Sequence, residues 1–143
     1  MKKMAQVHLL LVEDDEVDIM AVQRAFRERR LLNPITVAKD GIEALEFLRG
    51  TNGQAPLPRP FIVLLDLKMP RMDGLELLKE IRADESLKDS IVFVLTTSKH
   101  DEDIAAAYRH QVAGYILKSN AGLDFIRLID LLDAYWRVVE VAV

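Results

Sequence analysis

Ile62-Val63-Leu64-Leu65-Asp66 is the stretch that most narrows what this chain can become. Four unbroken apolar residues, two of them β-branched, lie between Pro60 and Pro70 and deliver one carboxylate at their end. A run without polar alternation reads as a strand buried on both faces, the condition of a parallel strand covered by helices. In an open α/β sheet ligands bind at the C-terminal strand ends, where Asp66 stands. A desolvated carboxylate is costly without a partner, so a cation is expected beside it. The plainer alternative is that Asp66 only caps a turn, as many strand-end aspartates do.

The pattern recurs along the chain. Val7–Val12 is a second apolar run and also ends in acid, Glu13-Asp14-Asp15. Ile35–Ala38 reads as a short strand, Ile91–Leu95 as a fourth ending in Thr96-Thr97-Ser98, and Gly114–Leu117 as a fifth ending in Lys118-Ser119. Between these runs the apolar spacing becomes helical. A first helix is predicted from about Glu16 to Arg30, with Ile19, Val22 and Phe26 on one face and Asp14 or Asp15 as its cap. Asp40-Gly41-Ile42-Glu43 and Asp73-Gly74-Leu75-Glu76 both read as an N-cap with glutamate three residues on. The helix after Asp40 ends near Arg49-Gly50, and the one after Asp73 presents Leu75, Leu78 and Ile81. A further helix spans roughly Asp101 to Gln111. The last starts near Gly122 and carries Phe125, Leu128, Leu132, Trp136 and Val139. The segment 50–60 is too rich in Gly and Pro for regular structure and reads as an exposed loop. Arg24, Arg27, Arg29 and Arg30 gather where cations suit the helix dipole, and a solvated face or a docking patch both account for them. Five alternations of strand and helix predict an α/β fold, a parallel sheet with right-handed crossovers and helices on both faces.

Composition removes several classes of function. The 143 residues suit one domain, and no apolar run approaches the roughly 20 residues of a membrane span. Met1-Lys2-Lys3-Met4 begins like an export signal, but Glu13-Asp14-Asp15 follows too soon for an apolar region, so a cytoplasmic protein is expected. There is no cysteine, which excludes disulfides and thiolate metal sites. The net charge is −4 with dispersed basic residues, so neither nucleic acid nor membrane is an expected partner. His8, His100 and His110 lack ligand spacing and are assigned no catalytic role.

Parallel strands point their C-termini the same way, which brings together Glu13, Asp14, Asp66, Thr96 and Lys118. Crowded carboxylates repel and raise one another's pKa. A hard divalent cation removes the conflict, and Mg2+ held by a few carboxylates, waters and a phosphate oxygen is the expected case. Asp66 can then stay ionised as a nucleophile toward phosphorus, with the Thr96 hydroxyl and Lys118 on the oxygens of the transferring group. Singly, each residue has an ordinary explanation as a cap, a packed threonine or a solvated lysine. Their joint placement at four strand ends does not.

Leu11–Asp15, Leu64–Gly74 (Leu-Leu-Asp-Leu-Lys-Met-Pro-Arg-Met-Asp-Gly), Val94–Ser98 and Gly114–Lys118 together resemble the response-regulator receiver domain of two-component signalling, and the likeness covers nearly the whole chain. The resemblance implies a flavodoxin-like sheet of strand order 2-1-3-4-5. It makes Asp66 the phosphoacceptor, Glu13 and Asp14 the acidic pair for Mg2+, and the backbone carbonyl of Lys68 a further metal ligand. Thr96 and Tyr115 fall on the switch positions and Lys118 on the phosphate-contacting lysine. Lys68 and Ser98 occupy positions that tune water attack on the aspartyl phosphate. Ser119 departs from the family, which usually has a proline there, so the Lys118-Ser119 bond is either trans or a strained cis bond costing about 2.5–4 kcal/mol. That Lys-Ser pair, the Pro-rich loop, Leu95–Ser98 and Tyr135-Trp136 resemble the small regulators partnered with phytochrome kinases. The implied phosphoryl donor is a histidine on a sensor kinase, with a downstream phosphotransfer protein as a further partner.

Other classes fit less well. A haloacid-dehalogenase-type phosphatase needs a second acid two residues after the nucleophile, and position 68 is lysine. A nucleotide binder would want neutral residues and amides after the first strand, not Glu13-Asp14-Asp15. A docking module that works without phosphorylation would be expected to lack one of the acids, the threonine or the lysine. Residues 1–143 are expected to form a single domain with no output domain. From about 124 to 143 the apolar residues exceed one core stripe, with Leu131, Tyr135, Val138, Val141 and Val143 in surplus, so this helix or arm is expected to build a homodimer.

Overall fold

Phe61–Leu65 forms the central strand, and each of its residues is buried. The computed structural model describes residues 7–28, 30, 32–69, 71–96, 101–117 and 127. Along the chain run β1 (His8–Val12), α1 (Glu16–Glu28), β2 (Ile35–Ala38), α2 (Gly41–Arg49), β3 (Phe61–Leu65), α3 (Gly74–Ala83), β4 (Ile91–Thr96), α4 (Asp101–Arg109) and β5 (Gly114–Leu117). The strands make one five-stranded sheet in the order β2-β1-β3-β4-β5, every pair parallel. This is the α/β architecture and strand order expected from the sequence. The last helix, the arm at 124–143 and the Lys118-Ser119 bond lie outside the described residues.

The alternation of side chains along each strand divides the core in two. Leu10, Val12, Val63, Leu65, Val92 and Val94 point to one face and pack with Ala44, Leu45 and Leu48 of α2, Leu77, Leu78 and Ile81 of α3 and Ala107 of α4. Leu9, Leu11, Ile62, Leu64 and Leu95 point to the other and meet Ile19, Val22, Ala25 and Phe26 of α1. Burying each large side chain of β3 contributes about 1.5–3 kcal/mol, so this strand alone contributes on the order of 10 kcal/mol.

Helix ends follow local chemistry. Asp15 Oδ1 accepts from the amides of Val17 at 2.8 Å and Asp18 at 3.3 Å, so Asp15 rather than Asp14 caps α1. Asp73 and Glu76 form a reciprocal capping box at the start of α3. α1 and α4 each stop short of the expected Arg30 and Gln111, because those residues have φ of 54° and 62° and a left-handed residue cannot continue a right-handed helix. On α3 the buried stripe is Leu77, Leu78 and Ile81, with Leu75 only partly buried. No helix among the described residues is long and apolar enough to cross a membrane.

Candidate functional site: an acidic cluster at the strand ends

The last rungs of the sheet place the acids. The Glu13 amide donates to Ala38 O at the end of β2, and the Asp66 amide to Val12 O at the end of β1, both at 2.9 Å. One carboxylate oxygen each from Glu13, Asp14 and Asp66 then lies within 4.8 Å of the others. Glu13 is 1% and Asp66 5% exposed, while Asp14 is open to solvent. Glu13 Oε1 accepts from the Asp15 amide at 3.1 Å, and Asp66 Oδ1 from the Lys68 amide at 3.1 Å. Two ionised carboxylates held this close repel by about 3 kcal/mol at an effective dielectric near 20.

The donor set suits a hard cation. All three groups offer oxygen and none offers nitrogen or sulfur, the preference of Mg2+ and Mn2+ rather than of softer metals. Opposite ligands on Mg2+ stand about 4.2 Å apart, so oxygens gathered within 4.8 Å can share one ion after small side-chain rotations.

The remaining expected residues are placed in part. Lys68 is exposed, two residues beyond Asp66. Thr96 is the last residue of β4 and pairs in register with Leu117, so its backbone reaches the same sheet end; its side chain is outside the described residues. Tyr115, half-buried on β5 and in register with Val94, packs against the core shared by α2, α3 and α4. Lys118, the expected cation beside Asp66, and Ser98 also lie outside the described residues. His8 sits at the opposite end of β1 from the acids, 3.3 Å from the Thr36 hydroxyl, with burial lowering its pKa.

Two features of the turn after β3 go beyond the sequence reading. Arg71 has a φ of 61°, a conformation that costs a non-glycine residue about 1–2 kcal/mol. Its Nε donates to Asp40 Oδ2 at 2.6 Å, and Asp40 also accepts from the Glu43 amide at 2.8 Å to cap α2. Burial pushes the Asp40 carboxyl up, but Arg71 and the Glu43 amide outweigh it and hold the group below the usual aspartate value. The second feature is close backbone contact. A β-carbon at Gly74 would meet the Asp66 carbonyl oxygen and stand 2.6 Å from Leu67 Cα, and one at Gly41 would stand 2.6 Å from Met72 Cγ. The recurrent Asp-Gly pairs carried the signal for both glycines, whereas nothing local links Asp40 to Arg71.

Comparison with known proteins agrees with this geometry. The response regulator receiver domain family matches residues 9–130. Response regulator Rcp1 of Synechocystis sp. is 34% identical over 128 residues, covering 90% of this chain and 87% of that protein. The structure of the phosphorylated cyanobacterial phytochrome response regulator RcpA has a TM-score of 0.81 at 35% identity, covering 92% of this chain and 94% of that one. The Mn2+-bound form of Rcp1 has a TM-score of 0.78 at 33% identity, with 92% and 94% covered. This chain therefore belongs to the response regulator receiver domain family, signalling proteins whose function is phosphoryl acceptance, and closely resembles the phytochrome response regulators.

Proposed function

We propose that Asp66 accepts a phosphoryl group from a phosphohistidine of a phytochrome-type sensor kinase, in a Mg2+-dependent reaction in the cytoplasm. The observation that carries this reading is the convergence of Glu13, Asp14 and Asp66 within 4.8 Å at adjacent strand ends. The likeness to RcpA and Rcp1 supports the choice of donor. An Asp66 carboxylate oxygen attacks phosphorus, and the P–N bond to the donor imidazole breaks with its electron pair returning to the ring nitrogen. Mg2+ held by Glu13, Asp14, Asp66 and the Lys68 backbone carbonyl supplies the positive charge that offsets the phosphoryl oxygens and the crowded acids. Lys118 and the Thr96 hydroxyl hold oxygens of the transferred group. A shift of Thr96 toward the phosphoryl group lets Tyr115 change rotamer, biasing an existing two-state equilibrium. The chemistry is confined to gaining and hydrolysing this phosphoryl group, and the signal leaves through protein contacts, including a downstream phosphotransfer protein.

The test is incubation with a small acyl phosphate and Mg2+ followed by intact mass. One added phosphoryl group on the parent, abolished in Asp66→Asn and by chelator, is the expected result. Labelling of the variant at the parent rate would sink the assignment. The apolar surplus at 124–143 supports a homodimer, checked by sedimentation of the full chain against a chain truncated after Ala134. A monomeric full chain at tens of micromolar, or a dimer that survives the truncation, would remove that part of the reading.

A further inference from the structure

The turn after Asp66 is closed on itself. Lys68 N donates to Asp66 Oδ1 at 3.1 Å, and Gly74 N to Leu67 O at 3.1 Å. It is also fastened to the start of α2, an element that contributes no acid to the cluster. Arg71 Nε reaches Asp40 Oδ2 at 2.6 Å, Gly41 N donates to Met72 O at 3.0 Å, and Met72 packs so closely on Gly41 that no β-carbon fits between them.

Capping α2 requires only one oxygen of Asp40, the one that takes the Glu43 amide. The other oxygen serves Arg71, although Asp40 is only 7% exposed. Nor does the turn itself call for arginine, since at a φ of 61° glycine would be the easier residue. What arginine adds is a charged donor that reaches α2.

The pair also completes a ring. Asp40 lies two residues beyond Ala38, whose carbonyl holds the Glu13 amide, and Arg71 lies five beyond Asp66, whose amide is held by Val12 next to Glu13. The two sides of the acidic cluster are therefore joined a second time through the start of α2 and the turn after Asp66, where Asp40 and Arg71 add a charged link to the Gly41–Met72 contact. We propose that Asp40 and Arg71 are positioning residues that set the spacing between Glu13 and the Asp66–Lys68 segment, and so set the affinity of the site for a divalent cation. This rests on the metal reading above. Groups that orient metal ligands without touching the metal typically govern affinity by 10-fold or more.

The experiment is titration with Mn2+ followed by loss of the free-ion electron paramagnetic resonance signal, with melting of the metal-free proteins alongside. Arg71→Gly keeps the turn and the Asp40 cap, and Asp40→Asn keeps a capping oxygen. Each is expected to bind Mn2+ about 10-fold more weakly. Metal-free Arg71→Gly should melt no lower than the parent, a separation that a purely structural role does not produce. The double variant should be no weaker than the weaker single one, since both remove one link. Variants within two-fold of the parent, or losses that multiply in the double variant, overturn the clasp alone. A parent that takes up no Mn2+ overturns the metal reading and the clasp together.

Discussion

At the C-terminal end of the sheet three carboxylates converge within 4.8 Å, whereas near its N-terminal end one guanidinium is surrounded by neutral acceptors. Arg82 Nε donates to His110 O at 2.7 Å, Nη1 to Lys88 O and Ser90 O at 2.7 and 2.8 Å, and Nη2 to Gln111 O at 2.9 Å. Those carbonyls lie in the turns that enter β4 and β5, so one residue of α3 ties the approaches to two strands. Burial lowers the Arg82 pKa and the charge of Asp89 partly restores it, yet a guanidinium stays protonated at any physiological pH. A charge wrapped in oriented dipoles is complete without a ligand. Like charges gathered together repel and favour an added cation, and that difference separates an end suited to holding the fold from an end suited to binding a metal.

The sharpest way to break this contrast is Asp66→Asn, expected to lose phosphoryl uptake entirely by intact mass while keeping the parent's circular dichroism spectrum. Gly74→Ala comes next. Its methyl group would press on the backbone of Asp66 and Leu67, so a loss of about 3 kcal/mol in urea unfolding should accompany a fall in labelling rate. Arg82→Ala should show the opposite division. Losing its carbonyl bonds, some of them exposed, should cost about 2 kcal/mol and lower Tm by roughly 5 °C, with labelling of the folded fraction unchanged. Reduced labelling in Arg82→Ala would erase the distinction between the two ends.

The smallest effect is a pH dependence. The Asp40 carboxyl sits below its ordinary value of 3.8: burial raises it, but Arg71 and the Glu43 amide lower it further. The folded protein therefore takes up this proton less readily than the unfolded chain. The resulting stability is complete above the ordinary value and is lost as pH falls through the lower folded one. The stability difference between the parent and Asp40→Asn should accordingly narrow on acidification from pH 6 toward about pH 3. A difference that stays constant across that range would show that the ion pair contributes nothing specific.

Most of the architecture was legible because it rests on local pattern. The apolar runs at Ile62–Leu65 and Ile91–Leu95 read as buried strands and are strands, and Asp73 with Glu76 announced a capping box that the structure contains. The centre of the α3 stripe was less clear, because leucines at 75, 77 and 78 all fit a wide apolar face and only packing buries Leu77 completely. The acids of the site were legible for the same local reason: Glu13 and Asp66 are each the first polar residue after a buried strand, and Asp14 follows Glu13 directly. Arg82 was not, since on a helix's last turn it looks like any cation matched to the dipole, and its partners are backbone carbonyls that every sequence possesses. The link between Asp40 and Arg71 was hidden too, because it joins residues on separate elements that no periodicity relates.

The division of the core by the sheet has a consequence for how an event at Asp66 is felt elsewhere. Val63 and Leu65 belong to the compartment of α2, α3 and α4, while Ile62 and Leu64 belong to that of α1, and the backbone of β3 is their common wall. Asp66 continues that wall beyond both compartments, so its backbone adjoins two separately packed layers at once. Isoleucine methyl resonances offer one reporter on each side, Ile19 of α1 and Ile81 of α3. Watching the two together distinguishes a message broadcast through the whole sheet from one routed to a single layer.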